Sequence, residues 1–207
     1  ENGRPGEWIL PGSCAVNDVF YGICGRVHTG ISALFVDIGE AHEALLPLSR
    51  TSRTPASGSR LIVQIRRLSR ESDKGAVVDA HIRLPGRYAV AVPGGRGIRR
   101  SALSALPPER ADRLYAQEES DLLALWSRTI AGAGEGPVPR RLLSFGDPIS
   151  VALREWDAVS PIWAEGIECF ENVRAAAGSD DVLRRLTLWV PETRGRLPDA
   201  YGLDTAR

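Results

Sequence analysis

The stretch from Asp18 to Leu84 constrains this chain more than any other. It begins DVFYGICGRVHTGISALFVDIGEAHEALLP and closes RLIVQIRRLSRESDKGAVVDAHIRL, in short runs that alternate apolar and polar residues. Val19, Tyr21 and Ile23 share one face, and Gly25 and Gly30 punctuate the first two runs. Ala33 to Ile38, Leu45–Leu46, Leu61 to Ile65 and Val77 to Ile82 complete five candidate strands. Period-two patterning in runs this short predicts a small antiparallel barrel.

A five-stranded barrel of this length has the size of an OB-fold, a frequent nucleic-acid binder. The same residues carry a family resemblance. VFYGICGRV, ALFVDIG and ALLPLS resemble the S1 RNA-binding domain, and KGAVVDAHIRLPGRYAVAVPGG is similar to the form of it found in the ribonuclease E/G family. In that family the S1 barrel is inserted into an RNase H-like domain and is followed by a 5′-end sensor region. The resemblance implies an α/β fold with an all-β insertion, an RNase H-like layer interrupted by an S1/OB-fold barrel and a 5′-sensor segment. Residues 1–17 would be the first, incomplete part of the RNase H-like domain, 18–84 the S1 domain, 85–139 the sensor region and 140–207 the second RNase H-like part.

Net charge is zero, but its distribution is uneven. Residues 1–49 carry 2 basic and 6 acidic groups, residues 50–110 carry 13 and 4, and residues 111–207 carry 11 and 16. A basic middle third between acidic flanks is the pattern of a chain with one phosphate-facing surface. Of the 26 basic residues 25 are arginine, and Lys74 is the single lysine. Lysine is a compact point charge and arginine a planar fork, so the two are not interchangeable at a crowded phosphate.

The resemblance assigns roles residue by residue. Lys74, in the SDKGA loop, matches an RNA-contacting lysine, and Phe35, in ALFVDIG, matches an aromatic on which a base stacks. The family's second aromatic falls at Leu45, a departure that weakens the stacking platform. Arg99 and Arg100, in GGRGIRRSAL, match paired arginines of the RNA-binding surface.

PPERADRLYAQEESDLL opens like a helix, with proline and acidic residues first and Ala111, Leu114, Tyr115 and Leu122 giving it an apolar face. LLALWSRTIAGAGEG then reads as a short apolar strand ending in Arg128 and Thr129, before Gly132, Gly134 and Gly136. An Arg-Thr pair there implies a site for the RNA's 5′-monophosphate, since a terminal phosphate needs a charged fork, a hydroxyl and close backbone N–H groups. Here the sequence departs from the family: GEGPVPRRLL stands where a long helical segment is expected.

The last third alternates. DPISVALREWDAV suits a helix with Asp147 as N-cap and Pro148 at its first position, PIWAEGI a strand, ECFENVRAAAG a helix ending on Gly178, and LTLWVPE a strand. Such alternation implies an α/β layer. Asp180 and Asp181 read as a turn or helix cap, not metal ligands.

Cys14, Cys24 and Cys169 are scattered and odd in number, as are His28, His42 and His81, so neither a zinc site nor a disulfide framework is expected. No apolar run reaches the ~18 residues of a membrane span and no leader opens the chain, so a cytoplasmic protein is expected. The chain contains no methionine. With Asn2-Gly3 forming a hairpin signal that no strand precedes, this suggests that a strand is missing at the N-terminus.

In the family, hydrolysis belongs to a further domain with two aspartates for magnesium. Metal-assisted cleavage needs clustered carboxylates on a rigid scaffold. None are grouped in this sequence, and Asp204 is a poor candidate. The sequence therefore implies no catalytic residues, metal ligands or cofactor in this chain, with magnesium belonging to that further domain. The expected partner is single-stranded RNA, and homo-oligomers would form through the family's C-terminal part. The functional expectation is the RNA-binding and 5′-end-sensing region of a ribonuclease E/G-like endoribonuclease. A free-standing non-catalytic RNA-binding paralogue, or an assembly domain whose barrel binds protein, are the alternatives.

Overall fold

A computed structural model describes residues 14–51, 53–69, 74–146, 148–155, 161–176 and 180–195. The expected hairpin at Asn2-Gly3, the Asp147 N-cap, the helix end at Gly178 and Asp204 lie outside the described residues. Those from Cys14 to Gly146 belong to one compact unit and those from Pro148 to Gly195 to a second.

In the first unit five strands close a barrel: β1 (Val19–His28), β2 (Ala33–Asp37), β3 (Ala44–Pro47), β4 (Arg60–Arg67) and β5 (Val77–Asp79). Their order is β2-β3-β5-β4-β1, and a further pairing of β2 with β1 shuts the ring. All pairs are antiparallel except β3 with β5, which run parallel. The arrangement is an OB-like barrel.

β1 serves three neighbours. Tyr21 pairs with Ile62 of β4 and with Arg140 of β9 (Arg140–Leu143), while Ile23 pairs with Arg60 and with Asp37 of β2. β9 and β2 therefore share one edge of β1 in succession. The strand that opens the expected segment 140–207 thus pairs in the barrel's own sheet.

Alternation decides what fills the barrel. Phe20, Cys24, Leu34, Val36, Leu46, Val63, Ile65 and Val78 form its core, all buried. On β2 the buried neighbours Leu34 and Val36 flank a half-buried Phe35, so the aromatic lies on the outer face. Burying a Leu or Phe fully contributes about 1.5–3 kcal/mol each. Val19, on the opposite face of β1 from Phe20, joins a second cluster with Ile82, Leu84, Ala91 and Phe145.

Three short strands, β6 (Leu84–Pro85), β7 (Ala89–Ala91) and β8 (Ile98–Arg99), make a small antiparallel sheet. The stretch GGRGIRRSAL, which its glycines and charges would suit to a loop, thus contributes a strand. Over this sheet lies α1 (Pro108–Ala131), whose 24 residues correct the expectation of a separate strand around LLALW. Leu, Ala and Trp all tolerate a helix, and Leu122, Leu123 and Trp126 continue the buried stripe begun by Ala111, Leu114 and Tyr115. The fifth barrel strand is also shorter than expected. It ends at Asp79, whose carboxylate turns back to accept the N–H of His81 at 2.8 Å.

The second unit holds α2 (Pro148–Glu155), β10 (Ile162–Glu165), α3 (Ile167–Ala176), α4 (Asp180–Arg185), β11 (Leu186–Trp189) and α5 (Pro191–Arg194). β10 and β11 pair in parallel, as two strands joined by a helical crossover must. Leu153, Ile162, Ala164, Val173 and Val182 form its core. This is the expected α/β alternation.

Candidate nucleic-acid interface

The outer face of the barrel carries a cleft of about 990 Å³ lined by Phe35, Glu43, Leu45, Arg67, Lys74 and Val77, among others. Strand register builds its floor. Phe35 stands opposite Leu45, Leu45 opposite Val77, and Val77 opposite Arg67, so one row crosses β2, β3, β5 and β4. A smaller hollow of about 370 Å³ adjoins it on the far side of Phe35, along Val27 to Ile31. His28 meets the Phe35 ring edge-on at 4.9 Å between centroids, fixing its plane.

Lys74 reaches the cleft because Gly75 lets its loop lie flat on β3. A Cβ at Gly75 would fall 1.8 Å from the Glu43 carbonyl oxygen, a position no side chain can take. Leu45 N–H also donates to the Ala76 carbonyl at 2.8 Å. The backbone just after the lysine is thus tied to the strand that carries Leu45.

Phe35 and Lys74, expected from the sequence, are therefore brought together. Arg67, Glu43 and His42, which also line the cleft, were missed; the period-two phase that places Val63 and Ile65 inside would send Arg67 inside too, and a register shift between Ile65 and Arg67 turns it out opposite Val77. The cleft combines an exposed cation, a second cation on a loop and a half-buried aromatic on an apolar floor. Such a surface can stack a flat ring and hold an adjacent anion.

The other expected residues lie elsewhere. Arg99 pairs with Asp112 at 2.8 Å and lies over the Tyr115 ring at 5.1 Å, and Arg100 donates to the Gly86 carbonyl at 2.8 Å. Both fasten the small sheet and its flanking turn. Arg128 and Thr129 occupy the last turn of α1, not the end of a strand. The Thr129 hydroxyl donates to the Leu125 carbonyl at 2.9 Å, and the chain's turn after the helix is held by Arg140, which donates to the carbonyls of Gly132, Ala133 and Pro137. A helix C-terminus is the negative end of the helix dipole and repels an anion.

One anion site is already filled from within. The Glu118 carboxylate of α1 accepts backbone N–H groups from Arg87 at 2.8 Å, Ala89 at 2.6 Å and Tyr88. A Cβ at Gly86 would strike the same carboxyl group, so glycine opens the space Glu118 enters. Its signal in the sequence is a charged residue on the apolar stripe of α1, between Tyr115 and Leu122.

Two buried carboxylates brace the barrel. Asp18, fully buried, accepts N–H groups from Ala15 at 3.1 Å and Phe145 at 2.8 Å, with Arg141 3.4 Å away. Asp79 receives the backbone and ring of His81, with Arg50 at 3.4 Å and Arg66 at 3.6 Å. Burial alone would raise the Asp79 carboxyl; the His81 N–H, the His81 ring and the Arg66 charge outweigh it and hold it below the ordinary carboxylate range. Burial pushes the Cys24 thiol up, which keeps it an unreactive core residue. Among the described residues no group of three or more His, Cys, Asp or Glu is placed to hold a metal ion, and no helix is long and apolar enough to cross a membrane.

The chain is 26% identical to Ribonuclease E of Nostoc sp. over 96% of its own length, a span covering 28% of that protein. It is a relative of ribonuclease E. Ribonuclease E of Synechocystis sp. is 32% identical over 44% of this chain and 15% of its own length. The chain thus spans less than a third of the ribonuclease E proteins it matches. No protein-family model matches it.

Proposed function

We propose that this relative of ribonuclease E is an RNA-binding region that takes single-stranded RNA into the cleft between Phe35 and Lys74. The observation that supports it best is the convergence of those two residues, distant in sequence, on one concave face beside Arg67. Phe35 and the apolar row through Leu45 and Val77 would receive a base, while Lys74 and Arg67 would neutralise phosphates on either side of it. A duplex hides its base faces, so single strands are the matching form.

The whole protein, in this reading, is an endoribonuclease, with the second unit forming part of an RNase H-like layer. The parallel pairing of β10 and β11 supports that layer. The described residues offer no carboxylate group suited to magnesium, so no cleavage step is assigned to them. For recognition of a 5′-monophosphate, the exposed Arg128 supplies charge, but the engaged Thr129 hydroxyl and the helix end oppose it. We therefore assign affinity to the barrel.

Fluorescence anisotropy with a labelled single-stranded RNA octamer and the matching duplex tests the reading. Preference for the single strand, weakening steeply with added salt, is expected. Equal and salt-insensitive binding of the two would overturn it in favour of a barrel that assembles with protein.

A further inference from the structure

The cleft holds one group that a general phosphate binder should avoid. Among the described residues lining it Glu43 is the sole acid, exposed, and set beside Lys74, Arg67 and Phe35. Two glycines border it. Its carbonyl lies hard against Gly75, and its carboxylate Oε1 lies 3.3 Å from where a Cβ at Gly25 would sit, a point itself 3.1 Å from the Phe35 carbonyl oxygen. The carboxylate therefore stands next to the strand that presents the aromatic. Neither nearby cation draws it into an ion pair, and among the described residues it has no hydrogen-bond partner.

An unengaged carboxylate repels phosphate, so its presence weakens backbone binding. What it can do is accept hydrogen bonds, with two oxygens side by side and no donor. Nucleobases differ in what they offer to such a group. The Watson–Crick edge of guanine presents two adjacent donors, N1–H and the exocyclic amino group, which match the two oxygens. Uracil presents one N–H between two carbonyl oxygens, which a carboxylate repels. Adenine and cytosine present an amino group beside a ring acceptor.

We propose that Glu43 makes the cleft selective for guanine, and against uracil, at the base stacked on Phe35. This rests on the RNA-binding reading of the cleft. The test is anisotropy with three RNA octamers, all uridine except for one internal position that carries U, A or G. The guanosine RNA should bind ~10- to 100-fold more tightly than the all-uridine one, the discrimination of one bidentate contact. Glu43→Gln should bring that ratio close to one, while the all-uridine RNA binds as well as before or better.

Equal binding of the G and U octamers by the native protein would overturn the proposal. So would equal gains from A and G, which assign the preference to purine stacking, or a Glu43→Gln protein that keeps the ratio. If none of the three RNAs binds, the RNA-binding reading itself has failed, and the inference falls with it.

Discussion

Phe35 on β2 stands in register opposite Leu45 on β3, and both side chains line one cleft on the outside of the barrel. The aromatic is flanked by the buried Leu34 and Val36 but takes no part in the core they belong to. Phe35→Ala should therefore weaken single-strand binding by about 1–3 kcal/mol, the worth of one base stack. The melting temperature should hold nearly constant. Leu45→Phe should strengthen binding by supplying a second ring. A Phe35→Ala protein that melts earlier yet binds RNA unchanged would return Phe35 to a packing role.

Asp79 gives the barrel a dependence on pH. Its carboxyl titrates lower in the folded protein than in the unfolded chain, because His81 and Arg66 favour the charged form. The unfolded chain then binds the proton first as pH falls. The stabilisation is fully present above the ordinary carboxylate value of ~3.9 and is lost as pH drops through the lower folded value. Urea unfolding between pH 7 and pH 2 should show this loss. In Asp79→Asn the slope of stability against pH over the acid range should be shallower. An unchanged slope would mean that other carboxylates carry the acid sensitivity.

Glu118 ties α1 to the turn at Gly86 through three backbone N–H groups. Glu118→Ala leaves those donors buried beneath the helix without an acceptor. Each buried donor so orphaned costs about 1–3 kcal/mol, less where water reaches it. Stability to urea should fall by at least one such step, and the amides of Arg87, Tyr88 and Ala89 should exchange hydrogen faster. Unchanged exchange at those amides would show that another group takes the carboxylate's place.

The barrel was legible because alternation of period two reports directly which residues face inward. Its outer site was half legible: Phe35 and Lys74 stand out by residue type, whereas Arg67 and Glu43 join them only through strand register, a long-range property. The boundary inside α1 was misread for a local reason. LLALW is a short apolar run, and such a run fits a buried strand or one stripe of a helix equally well until its neighbours are placed. Glu118 and Arg140 were invisible as working residues, because a capping or clamping side chain is defined by the backbone it meets.

The end of α1 offers the sharpest test of what this relative retains. Arg128 is exposed on the last helical turn, and the adjoining carbonyls carry the dipole's negative charge, with Arg140 already donating to those of Gly132 and Ala133. A 5′-phosphate arriving there would meet one exposed guanidinium and a Thr129 hydroxyl already given to Leu125. An exposed contact of this kind contributes at most about 1 kcal/mol. RNA with a 5′-monophosphate and RNA with a 5′-hydroxyl should therefore bind within about fivefold of each other at physiological salt. Arg128→Ala should leave the ratio where it was. A preference for the monophosphate of tenfold or more that disappears in Arg128→Ala would establish an end sensor at the helix terminus, and would require Thr129 to release Leu125 when the phosphate binds.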